Sequence, residues 1–167
     1  QNAMIALQNA RAQYQAAVFD MYPAMLRQCV LWSAIGNHEF YSATGPESFA
    51  YLNIFELPRN GEAGGVASGT EKFYSFNYGN IHFVCLDSEG SDRTPSGPML
   101  TWLASDLDAN TRRWVIAFFH HPPYSKGSHN SDDSLDSGGR MKEMRENALP
   151  ILEAGGVDLV LTGHSHD

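Results

Sequence analysis

The stretch Val157-Asp-Leu-Val-Leu-Thr-Gly-His-Ser-His-Asp167 decides how the rest of the chain is read. An apolar run of leucine and valine stops at Gly163, and two imidazoles follow at positions i and i+2, which an extended backbone projects to one side. Such a pair is a metal-ligand arrangement. Two other stretches share the pattern. Residues 30–35 (Val-Leu-Trp-Ser-Ala-Ile) run into Gly36-Asn37-His38-Glu39, and residues 114–119 (Trp-Val-Ile-Ala-Phe-Phe) run into His120-His121-Pro122-Pro123. Parallel strands of an open α/β sheet send their carboxyl ends to one crevice, so the three tips are expected to form one site.

At 167 residues, 43% of them hydrophobic, the chain is long enough for one buried core. A formal net charge of −8 without any cluster of Lys and Arg excludes a sequence-independent grip on nucleic acid. A phosphorylated substrate remains compatible with that charge, because bound cations reverse the local field. No apolar stretch reaches the roughly 20 residues that span a bilayer, so no membrane partner is expected. Cys29 and Cys85 lie beside or within apolar strand patterns and are expected as buried free thiols. Gln1-Asn2-Ala3 ahead of Met4 reads as a cloning remnant, and no secretory pattern follows it.

Along the chain, residues 6–26 read as a helix, with Tyr14, Val18, Met21 and Met25 at helical spacing and a break near Pro23. The Thr44-Gly-Pro-Glu47 segment starts a short helix through Tyr51 and Phe55. Residues 57–70 are a glycine-rich loop. Residues 72–87 form an antiparallel hairpin turning at Asn77 to Asn80, in which His82 is structural. Asp87 ends its strand either as a ligand or as a cap for the following turn. Residues 98–108 carry Leu100, Leu103 and Leu107 on one helical face. The strand at 114–119 follows at the spacing of a parallel crossover. The loop 120–137, with His120, His121, His129, Lys126 and several Asp, is long enough to imply function. A helix over 141–152, interrupted by Pro150 and ended by Gly155-Gly156, precedes the last strand. The whole reads as a single domain without repeats or linkers.

Imidazoles with an amide or carboxylate oxygen suit Zn, Fe or Mn, and no cysteine lies near the strand tips, so a closed structural zinc site is disfavoured. Two such ions about 3.5–4 Å apart can activate water and clamp a phosphoryl displacement. A Ser or Cys nucleophile is excluded by the absence of a Gly-x-Ser-x-Gly elbow and of a Cys beside a His.

At these residues the chain resembles the calcineurin-like metallophosphoesterases, most closely the purple acid phosphatase branch. The resemblance rests on Gly36-Asn37-His38-Glu39, on the strand ending in His120-His121-Pro122, and on Gly163-His164-Ser165-His166. Tyr74-Ser-Phe-Asn-Tyr-Gly-Asn-Ile-His-Phe83 and Trp102-Leu-Ala-Ser-Asp-Leu107 support it, and it extends from about Phe19 to the end. It implies a four-layer αββα sandwich, incomplete at both ends, and a binuclear centre of Fe, Zn or Mn that hydrolyses phosphomonoesters of small molecules or proteins. Asn37, His120 and His164 are expected to hold one ion and His166 the other. His38 is expected to contact the phosphate and assist the leaving group, and His129 to contact substrate from its loop. His121 falls where the family varies and is expected outside the ligand set. A secreted or periplasmic location goes with the resemblance.

Two family motifs are missing, an Asp-x-His and a Gly-Asp-x-x-Tyr, so the bridging carboxylate and most of the first ion's ligands are not here. The chain is therefore expected to be the middle of a larger catalytic domain. The alternative is a catalytically incompetent module that binds at most one metal and associates with itself through exposed sheet edges. Metal occupancy is expected to fall as the pH drops through about 6.5.

Overall fold

The computed structural model describes residues 2–41 and 49–166. The chain forms two compact units, one of residues 1–33 and 37–56 and the other of residues 34–36 and 57–167.

In the first unit the alanine- and glutamine-rich start folds as α1 (Asn2–Tyr14), passes through one wide π-type turn (Gln15–Phe19) and restarts as α2 (Pro23–Leu26). Pro23 opens α2, where a missing N–H leaves no bond unmade, so the expected break is found. Met21 and Met25, placed by their spacing on a packing face, are exposed. Two short helices follow, α3 (Asn37–Tyr41) and α4 (Tyr51–Ile54). The rings of Phe49, Tyr51 and Phe55 pack in series, with centroids 5.9 and 5.1 Å apart. The helix start expected at Thr44-Gly-Pro-Glu47 lies outside the described residues.

Residues 30–35 are not a strand, contrary to the sequence expectation, and Val30 is 73% exposed. A β-branched apolar run becomes a strand only where a neighbour supplies the ladder, and the sheet takes its four strands from later in the chain.

That sheet forms the centre of the second unit, in the order β1 (Tyr74–Tyr78), β2 (Ile81–Cys85), β3 (Trp114–Phe119) and β4 (Leu159–Thr162). β1 and β2 are the expected antiparallel hairpin, and Gly79, at φ 59°, supplies the positive dihedral its two-residue turn needs. β2, β3 and β4 run parallel, with Cys85 beside Phe118 and Phe119 beside Thr162. Between β2 and β3 lies α5 (Pro98–Ala109), whose Leu100, Leu103 and Leu107 are buried as their spacing predicts. Between β3 and β4 the chain winds through α6 (Arg140–Glu143), a π-type turn (Met144–Ala148) and α7 (Leu149–Ala154). The π turn falls immediately before α7, whose second residue, Pro150, cannot donate the bond that a regular helix requires there.

The core lies between one sheet face and these helices: Val84, Val115, Ala117 and Phe119 meet Leu100, Leu103, Met144 and Leu152. Each buried Val, Leu, Phe or Met among them stabilises the fold by about 1.5–3 kcal/mol. Beneath it, the fully buried Asp106 accepts bonds from Ser75 Oγ (2.8 Å), the Val66 amide (2.7 Å) and His82 Nε2 (2.8 Å), so His82 is the structural residue expected. The other face is apolar too, running from buried Tyr74 and Phe76 to exposed Leu159 (47%) and Leu161 (51%). A sheet apolar on both faces belongs to a layered α/β architecture. Of the two sheets expected, the described residues contain this one. Cys85 is buried, whereas Cys29, expected to be buried, is exposed; it follows α2 and lies outside any strand.

Candidate metal centre

β3 and β4 end side by side, and the Gly163 amide extends their ladder by one bond to the His120 carbonyl, 3.0 Å. His120 and His164 thereby become neighbours although 44 positions apart, with His120 Nε2 and His164 Nδ1 separated by 3.0 Å. His121 lies against both rings, at centroid distances of 4.9 Å from His120 and 4.4 Å from His164. The ring of His129 stacks on His164 at 4.0 Å, and its Nδ1 donates to Asp136 Oδ1 at 2.8 Å. His120, His121 and His164 form one cluster that can hold an ion, and His129, Asp136 and His164 form a second that shares His164.

A further strand, β2, runs parallel to β3 and also ends at this crevice. There Ser88 Oγ accepts the His121 amide at 3.0 Å and bonds His121 Nδ1 at 3.0 Å. Glu89, fully buried, lies 3.5 Å from His121 Nε2 and 3.0 Å from Arg140, in ion-pair contacts that lack hydrogen-bond alignment. Asp87 caps its own turn, its carboxylate accepting from the Glu89 and Gly90 amides and from Ser91 Oγ at 2.8–3.0 Å.

The backbone at His164 departs from the extended path assumed for the His-x-His pair. Its φ is 67°, and the Ser165 amide bonds the Gly163 carbonyl at 2.8 Å, which makes His164 the centre of a γ-turn of the rare positive-φ kind. His166 is therefore not aligned with His164. It is exposed and does not enter either cluster, its amide bonding Ser128 Oγ at 2.7 Å. Asn37 and His38 open α3 in the first unit, where His38 lines a shallow cavity of about 160 Å³ with Tyr14, Val18 and Glu39. The Tyr14 hydroxyl, half-buried and beside the Glu39 carboxylate, is pushed well above the usual phenol range.

Burial, then the imidazoles of His164 and His120, pushes His121 down to about 2. Burial, then His129 and His120, lowers His164 to about 4, against an opposing pull from Asp136. Burial raises Glu89, and Arg140 opposes the rise. The Asn130 amide, then His129, lowers Asp136 to about 2. His121 and His164 are thus held as neutral imidazoles, the form in which histidine binds metals. Two nitrogens 3.0 Å apart can both lie about 2.0–2.1 Å from one ion, so His120 and His164 fit a shared metal.

Sequence reasoning missed Asp136, Ser137, Glu89 and Arg140: Ser137 and Glu89 lie far in sequence from the rings they touch, Arg140 reaches the cluster through Glu89 and Ser137, and Asp136 bonds His129 seven positions away across an irregular loop. The Ser137-Gly138-Gly139 run in an acidic loop was the available signal.

Fold and donor set describe an α/β protein that gathers histidines at the ends of parallel strands, in clusters that could hold a metal ion. A model of the calcineurin-like phosphoesterases matches residues 10–167, and the chain belongs to that family. It is 35% identical to purple acid phosphatase 15 of Arabidopsis thaliana over 137 residues, which are 78% of this chain and 23% of the relative. It is 32% identical to purple acid phosphatase 18 of the same plant, over 78% of this chain and 28% of that one. Purple acid phosphatase PPD1 from yellow lupin seeds has a similar fold, with a TM-score of 0.59 at 20% identity, over 80% of this chain and 24% of that one. The chain thus spans about a quarter of the length of these relatives.

Proposed function

We propose that the chain is part of one metal-dependent phosphoesterase domain that hydrolyses phosphomonoesters, of small molecules or of proteins, at a binuclear centre. The observation that carries this reading is the 3.0 Å approach of His120 Nε2 to His164 Nδ1 at adjacent carboxyl ends of parallel strands. The family match and the purple acid phosphatase relatives support it. In this proposal Asn37, His120 and His164 hold one ion, and His166 contributes to the other. The ions, Fe, Zn or Mn, supply an activated water and charge that stabilises the transferring phosphoryl group. The chain's own residues do the rest. His129, its Nδ1 bound to Asp136, offers Nε2 to a phosphate oxygen. His38 donates a hydrogen bond to the phosphate and a proton to the leaving oxygen. A secreted or periplasmic location belongs to the same proposal.

A second reading, a module with one ion and no turnover that self-associates through the β4 edge, is favoured by the carboxylates. Among the described residues, Asp136 is the only carboxylate in the clusters, and it is committed to His129 and the Asn130 amide. Elemental analysis after dialysis, beside a chromogenic phosphate-ester assay, separates the two. Two ions per chain with turnover support the first, and one ion without turnover supports the second. In the active protein His164→Ala should lose metal and activity together. His38→Ala should keep the metal and lower kcat, because its interaction forms in the transition state.

A further inference from the structure

We propose that Ser137 is a positioning residue for His164: relayed to Asp136, it holds the ring in the tautomer protonated on Nε2, so that Nδ1 faces His120 with its lone pair. The use of that lone pair rests on the metal-binding reading above, whereas the tautomer does not.

Among the described residues, two that are not glycine have positive φ, Ser137 at 53° and His164 at 67°. They touch, with Ser137 Oγ 2.7 Å from His164 Nε2. Backbone strain of this kind persists only where the surroundings over-determine it. Here the surroundings are visible. Arg140 Nη1 donates to the Ser137 carbonyl at 2.7 Å, while its Nη2 lies 3.0 Å from the buried Glu89 carboxylate, which pins the Ser137 turn to the tip of β2. Gly138 and Gly139 continue the left-handed path at φ 61° and 80°, and a Cβ on Gly138 would come within 2.7 Å of Arg140 Nη1. A turn of this shape is better served by glycine than by serine. The hydroxyl is what serine adds.

Proton counting assigns its role. A hydroxyl has one proton to donate, and an ionised carboxylate only accepts. Asp136 Oδ1, 2.8 Å from Ser137 Oγ, takes that proton, as it also takes the one on His129 Nδ1. Ser137 Oγ is left as the acceptor toward His164, so the N–H of the ring is on Nε2. A neutral imidazole has a single N–H, and Nδ1, 3.0 Å from His120 Nε2, is then the ligand atom. Outer-shell partners of this type fix the tautomer and orientation of metal-binding histidines.

The test is Ser137→Gly in the chain with ¹⁵N-labelled imidazoles, read by NMR without metal and by Co²⁺ titration. Glycine keeps the turn and relieves its strain, so thermal stability should hold or rise. The metal-free wild type should show His164 as a single tautomer protonated on Nε2. Ser137→Gly should show a mixture of tautomers and a Co²⁺ affinity weaker by roughly 10–100-fold. A wild-type ring protonated on Nδ1, or a variant whose tautomer does not change, overturns the positioning role. Absence of Co²⁺ binding by the wild type counts against the metal reading alone, since the tautomer is decided separately.

Discussion

His164 gathers a strained backbone, three ring neighbours and two hydrogen bonds, and its burial sets a measurable pH response. Its folded pKa is about 4, so between that value and the ordinary histidine value of about 6.5 the unfolded chain binds the extra proton. Stability therefore rises with pH through this window, is complete above it, and is lost as the pH falls toward 4. His121, lowered further, acts in the same direction. The urea midpoint of the metal-free chain should fall between pH 7 and pH 4, and His121→Asn should flatten the fall. A level profile in the wild type would contradict the burial argument. The two thiols form a second pair of opposites. Burial pushes the Cys85 thiol far above its usual range, while Cys29 is exposed. One thiol per chain should react quickly with a disulfide reagent at pH 8, and the second only in denaturant.

Among the elements, α5 does most to hold the site's scaffold, because it ties the hairpin and the glycine-rich loop together through one carboxylate. Asp106→Leu removes the partner of His82, Ser75 and the Val66 amide at once and should cost about 3–5 kcal/mol in urea denaturation. The double variant His82→Leu, Asp106→Leu should cost less than the sum of the two single changes, since it leaves no unpaired imidazole. Additive losses would mean that the pair is not coupled. The parallel β3–β4 pair has a different duty, carrying His120 and His164 to adjacent positions.

For the whole molecule, the open edge at β4 is the feature with consequences in solution. Leu159 and Leu161 are half exposed on a strand with one hydrogen-bonding side unpaired in the described sheet. Such edges recruit other chains. Light scattering should find the chain associating with rising concentration, and Leu161→Lys should shift it toward monomer. A wild type that stays monomeric to high concentration removes self-association from the proposal.

Much of this was legible in the residues alone. Period-two alternation marked the hairpin, a six-residue apolar run marked β3, leucine spacing marked α5, and Gly and Pro marked the breaks, because each signal acts over a few neighbouring positions. The same patterns placed His120 and His164 immediately after strands. Where local preference needs a distant partner, the sequence was silent or misleading. Residues 30–35 have the composition of a strand but, among the described residues, no ladder to join. The γ-turn at His164, the 27-residue step to Ser137 and the 51-residue step from Glu89 to Arg140 exist only once the sheet has brought these ends together. Backbone periodicity is local, and so one sequence reveals it; the tautomer, burial and strain of an imidazole depend on contacts between distant segments, which only the tertiary structure decides.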